Sequence, residues 1–88
     1  MDLGELKELL KENVPSYSKI TASELATIMS FVDVTLEMDR KTLDYFYKMD
    51  VDDLLKSSIS NNVMEQIKNQ GWSFSDDGKS LIVFLKNN

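Results

Sequence analysis

Asp77-Gly78 lies between two alternating runs, Trp72-Ser73-Phe74-Ser75 and Ser80-Leu81-Ile82-Val83-Phe84-Leu85. No other feature restricts the fold as tightly. Glycine takes up the positive φ that a tight hairpin turn demands, and aspartate tolerates it, so the pair predicts an antiparallel return. Centring the turn there sets Phe74 opposite Leu81 and Trp72 opposite Val83. These four and Leu85 form one apolar face. Ile82 and Phe84 fall on the other face and need a third strand, a helix or a partner to cover them.

The remaining sequence reads as helical. Leu3, Leu6, Leu10 and Val14 share a face of a helix over 3–13, which Asn13 and Pro15 end. Ser16–Ile20 reads as a loop or short strand, and whether Tyr17–Ile20 supplies the third strand over Ile82 and Phe84 stays open. Thr21 and Glu24 form a capping box that starts a helix predicted to reach about Met38. Along that helix Leu25, Ile28, Met29, Val32 and Leu36 make one stripe, and Phe31, Val34 and Met38 make a second on nearly the opposite side. A helix apolar on two sides is central to a core or shared with a partner. Asp39 is expected to cap a third helix, Arg40 to Met49, with Leu43, Phe46 and Tyr47 inward. Asp50 caps a short helix carrying Leu54 and Leu55. Ser60 caps the next, with Val63, Met64 and Ile67 inward and Gly71 as its left-handed stop. Trp72 is expected to close the core.

Composition limits the chemistry. The 88 residues suffice for one domain, and neither cysteine nor histidine is present. Disulfides, thiolate nucleophiles, imidazole bases and the commonest metal ligands are therefore excluded. The expectation is a chain that is not an enzyme and that uses no cofactor, metal or small-molecule substrate. No apolar run is long enough to span a membrane, and the first residues resemble no secretion signal, so a cytoplasmic location is expected. The net charge is −5, and residues 1–56 hold seven cations against twelve acids. The acidic front half repels nucleic acid and anionic membranes.

Residues 50–86 resemble a winged helix-turn-helix domain. The features that carry the likeness are the helix Val51–Lys56, the turn Ser57-Ser58-Ile59, the second helix after Ser60, Gly71 and the aromatic-rich hairpin. The turn lacks glycine, and two helices rather than one precede the motif. The resemblance implies that Asn61, Asn62, Glu65, Gln66 and Asn69 face outward on a recognition helix. Asn and Gln suit adenine edges. Lys68 and Lys79 would then supply phosphate contacts, although three lysines are few for a DNA binder.

Other candidates are weighed individually. Asp50, Asp52 and Asp53 fit a helix start better than a metal site, because the glycine and glutamate of a calcium loop are missing. Asp76 and Asp77 fit turn chemistry. Three consecutive rings, Tyr45-Phe46-Tyr47, cannot all point inward, which makes Tyr45 an exposed contact candidate. Phe31, Val34, Met38, Tyr45, Ile82 and Phe84 are the expected protein interface, with a homodimer or a client protein as occupant.

Taken together, the sequence predicts a single α+β domain over 1–88. Residues 1–49 form an acidic helical part, and 50–86 a helix-turn-helix with a hairpin wing, giving about five short helices followed by a C-terminal β-hairpin. The expected role is a small acidic regulator acting by protein–protein binding. Inhibitors of the kind phages and mobile elements encode, which present carboxylates in place of phosphates, are one form of this. A winged-helix DNA-binding regulator, reading through Asn61, Asn62, Gln66, Lys68, Asn69 and Lys79, is the alternative.

Overall fold

The computed structural model describes residues 1–18 and 20–85. Lys19 of the 17–20 segment, and Lys86, where the wing was expected to end, lie outside the described residues. The element order is α1 (Leu3–Leu9), β1 (Tyr17–Ser18), α2 (Ala22–Met29), β2 (Val34–Met38), β3 (Tyr45–Asp50), α3 (Val51–Lys56), α4 (Asn61–Asn69), β4 (Ser73–Phe74) and β5 (Ser80–Leu85).

Each helix starts on a side-chain cap that satisfies amides the helix itself leaves unpaired. Asp2 accepts from the Glu5 N–H at 2.8 Å while Glu5 reaches back to the Asp2 N–H at 3.2 Å. Thr21 and Glu24 repeat that reciprocal box at the start of α2. Asp50 is both the last residue of β3 and the cap of α3, accepting from the Asp53 N–H at 2.9 Å. Ser60 accepts from the Val63 N–H. Gly71, at φ +91°, turns the chain out of α4.

The five strands form one mixed sheet in the order β1-β5-β3-β2, with β4 also paired to β5. Among the described residues only β1 runs parallel to its neighbour, Tyr17 standing opposite Phe84. Phe74 does pair with Leu81, the register read from the turn. The C-terminal strand is nevertheless not half of a free-standing wing. It lies inside the sheet, with β3 along one side from Phe46↔Phe84 to Asp50↔Ser80 and β4 and β1 along the other.

Three expectations are corrected. The second helix does not run to Met38, because α2 stops at Met29 and β2 follows. The third helix, Arg40 to Met49, does not form; β3 occupies Tyr45–Asp50. Among the described residues there are therefore four helices rather than five, and three of the five strands fall within residues 1–50. The architecture of helices followed by a C-terminal hairpin is overturned by this sheet, and no winged-helix likeness is shown. The physical reason is local. Val34-Thr35-Leu36-Glu37-Met38 alternates with period two, and Tyr45-Phe46-Tyr47 is aromatic, and both segments suit a pleated surface. Over a few residues the same side chains also fall into helical stripes. The second apolar stripe was the start of a strand.

One face of the sheet packs on the helices. Met49, Leu81 and Val83 are buried there with Leu6, Leu10, Ile28, Leu54, Ile67 and Trp72. Side chains of this size contribute roughly 1.5–3 kcal/mol each when fully buried. Polar contacts tie the layers together. Gln70 is buried, accepts from the Trp72 indole N–H at 2.9 Å and donates to Glu24 at 3.2 Å. The Asn13 amide donates to the carbonyls of Lys68 and Trp72, closing the end of α4.

Candidate interaction surface

β2 is the terminal strand of the sheet among the described residues, and its outer edge carries no partner strand. The direction of its amides follows from one bond. The Asp39 N–H donates to the Asp44 carbonyl at 2.8 Å, so Asp39 and Asp44 form a hydrogen-bonded pair. Such pairs alternate along an antiparallel ladder. Glu37 with Phe46 and Thr35 with Lys48 are then hydrogen-bonded pairs too. The amides and carbonyls of Val34, Leu36 and Met38 consequently point away from β3, toward open space.

The apolar side chains of the same three residues continue the face that packs on the helices. Cover fades along it. Met49 is buried, and its neighbour Val34 is half-buried and packs on the core. Further out, Leu36 is 55% exposed, Met38 44% and Tyr45 46%. Met38 and Tyr45 are direct cross-strand partners. The helix layer stops short of this end of the sheet, and an apolar strip is left uncovered beside an open edge. Phe31, in the turn after α2, and Leu43, in the β2–β3 loop, are exposed as well.

The opposite face carries Ile82, Phe84 and Phe46. The Phe46 and Phe84 rings lie 5.5 Å apart, and Tyr17 from β1 rests against Phe84 at 6.0 Å. The third strand left open by the sequence is thus present, and its tyrosine shields part of this face. The Tyr17 hydroxyl donates to the Asp44 carboxylate, which is buried. That hydrogen bond, with desolvation and the Asp44 and Asp39 charges, raises the phenol above its ordinary value. A shallow depression of about 330 Å³ is lined by Phe46, Ile82, Phe84, Lys48 and the acids Asp39 and Asp76, among others. Lys48 pairs with Glu37 at 3.6 Å.

The six expected interface residues are therefore not one patch. Met38 and Tyr45 adjoin on one face, Ile82 and Phe84 lie on the other, Phe31 is in a turn, and Val34 packs on the core. The expected reading residues are placed as follows. Asn61, Asn62, Gln66 and Asn69 are exposed on α4, Lys68 is half-buried, and Lys79 is exposed in the β4–β5 turn. In that turn the Lys79 N–H and the Ser75 hydroxyl both donate to Asp77, which holds its carboxyl below the usual range. Asp50 serves as a cap, and among the described residues no cluster of acids that could hold a metal ion occurs.

Leu36 and Tyr17 were missed as surface residues. Helical spacing puts Leu36 on the buried stripe of a long helix, and the period-two alternation of 34–38 is the signal that exposes it. Among the described residues no helix is long and apolar enough to cross a membrane. No protein family model, curated protein or solved structure matches this chain.

Proposed function

We propose that this chain is a small acidic, non-enzymatic interaction protein that binds another protein through the β2 side of its sheet. One observation carries the reading: an unpartnered strand edge adjoins the exposed apolar side chains of Leu36, Met38 and Tyr45. Proteins usually blunt such edges with lysine, proline or a bulge. β2 contains neither residue, and its register with β3 is unbroken from Val34 to Met38. An edge of this kind supplies main-chain hydrogen bonds for affinity and alternate side chains for specificity, the mode by which a partner strand extends a sheet. The overall charge of −5 disfavours nucleic acid as the main ligand.

The test compares Met38→Glu and Leu36→Glu with the unchanged chain as immobilised baits. Any protein retained by the native chain is identified and its binding measured with purified components. Loss of binding in both variants, with circular dichroism unchanged, is expected. Equal binding by all three baits overturns the reading.

A DNA-reading role for α4 is the second reading, supported by its exposed amides Asn61, Asn62, Gln66 and Asn69. Its test is anisotropy of labelled random duplex at low salt, where phosphate attraction is strongest. Binding that weakens with salt, and that Lys68→Glu with Lys79→Glu abolishes, would place it first.

A further inference from the structure

We infer that the occupant of the β2 edge is a second copy of this chain, paired antiparallel about a two-fold axis at Leu36. This rests on the interaction reading above and goes further by naming the partner and the register.

The first argument is self-complementarity. An isologous contact requires each residue to meet its counterpart reflected through the axis. With Leu36 on the axis, Leu36 meets Leu36, Val34 meets Met38, and Thr35 meets Glu37 of the second copy. Every apolar residue of the strand then faces an apolar one, and the only acid faces a hydroxyl. Thr35 already donates to Glu37 within the chain at 3.1 Å, so the same two groups are compatible partners across the axis. Glu37 also has Lys48 at 3.6 Å. Thus no like charges oppose each other within the five-residue ladder. Moving the axis to Thr35 would set Val34 opposite Leu36 but Glu37 opposite Asp33, which brings two acids together.

The second argument is the direction of the amides. Val34, Leu36 and Met38 point their N–H and C=O groups outward. In the Leu36-centred register these three residues are also the ones that meet each other. Both copies therefore present hydrogen-bonding groups at the same positions, and the ladder closes without a slip. The two sheets become one continuous sheet, with Leu36 paired to Leu36 and Met38 set against Val34 of the second copy, all on one face.

The third argument concerns the ends of the ladder. Just beyond it, Asp33 stands opposite Asp39 of the second copy, with Arg40 adjacent to Asp39. Directly opposed like charges destabilise a pair. The association is consequently weakened by charge at its ends as well as by the −5 on each copy, and added salt strengthens it.

The absence of cysteine makes the register directly readable. In a hydrogen-bonded antiparallel pair the Cα atoms are about 5.5 Å apart. That distance falls inside the disulfide range of roughly 4.4–6.8 Å. Leu36→Cys, at an exposed position, is therefore expected to oxidise to a covalent dimer at low protein concentration. Thr35→Cys places its two sulfurs on residues about 8 Å apart, from a rise of ~3.4 Å per residue and a strand spacing of ~4.8 Å. It is expected to cross-link at least tenfold more slowly, because bridging beyond roughly 7 Å needs backbone movement. Sedimentation of the cysteine-free chain is expected to show a monomer–dimer equilibrium that Asp33→Lys tightens about two- to fivefold. Equal cross-linking at the two positions overturns the register. A chain that remains monomeric at high concentration and high salt overturns the second copy as occupant. In that case the interaction reading stands or falls separately, on whether Met38→Glu loses a different protein partner.

Discussion

The phenol of Tyr17 donates its hydrogen to the carboxylate of Asp44, 27 residues further along the chain. The bond links β1, at one margin of the sheet, to the loop that enters β3, across the intervening β5. It fixes the Tyr17 ring over Phe84, where it shelters the open face. A phenolate in that position would face a carboxylate, so ionisation is disfavoured and the pKa is raised above 10.0. A group with a raised folded-state pKa contributes stability that is present below its unfolded value and lost as pH rises through the folded value. Absorbance titration is expected to show a late phase for Tyr17 that Tyr17→Phe removes. Unfolding midpoints should fall more steeply above about pH 10 in the native chain than in Tyr17→Phe. Parallel profiles would show that the bond is not kept in solution.

Gln70 is the second residue on which distant parts converge, since it accepts from the Trp72 indole and donates to Glu24. Gln70→Leu keeps the volume but leaves the indole N–H buried with no acceptor. An unmet buried donor costs about 1–3 kcal/mol. Urea unfolding followed by the single tryptophan should give an unfolding free energy lower by an amount in that range. A loss under about 0.5 kcal/mol would mean that the indole finds another acceptor.

How far the sequence predicts this fold depends on which residues are asked. Thr21, Asp50, Ser60 and Gly71 act as read, because caps and left-handed stops depend on a few adjacent atoms. The pairing of Phe74 with Leu81 was legible because its turn is local. Val34–Met38 and Tyr45–Met49 were not. Five or six apolar and polar residues fit both periods, and what distinguishes strand from helix is pairing beyond the segment, of β3 with Leu81–Phe84 and of β2 with β3. The candidate site depends on that choice. Helical spacing marks Met38 and Tyr45 as separate contacts, and their adjacency exists only in the strand register. The same spacing puts Leu36 on a buried stripe, whereas the strand exposes it.

The gradient of cover along the helix-facing side of β2 and β3 has an energetic consequence. Met49 and Leu36 lie on the same face, one buried and the other more than half exposed. Met49→Ala removes a packed side chain and should cost about 2–5 kcal/mol. Leu36→Ala should change stability by less than about 0.5 kcal/mol, as surface substitutions do. Both are measured by denaturant unfolding at low protein concentration, so that self-association does not add to the native state. A large loss at Leu36 under those conditions would mean that the edge is covered within the single chain, which would remove the basis for a binding surface there.

Leu43 has φ +62°, the left-handed region, at the end of the β2–β3 loop. Its N–H donates to the Asp39 carbonyl at 2.7 Å, and Asp39 in turn pairs with Asp44, so the loop holds the strained residue in place. The side chain is 63% exposed and gains little from packing. A branched residue there pays the steric cost of Cβ against its own carbonyl, about 1–2 kcal/mol. Asn adopts this region with less strain and keeps the N–H. Leu43→Asn should therefore raise stability by about 0.5–1 kcal/mol, while Leu43→Val, branched at Cβ, should lower it. Thermal unfolding of the two variants beside the native chain checks the pair. Opposite shifts are the expected signature of backbone strain, and shifts of the same sign would show that the Leu43 side chain, rather than its backbone, sets the energy of the loop.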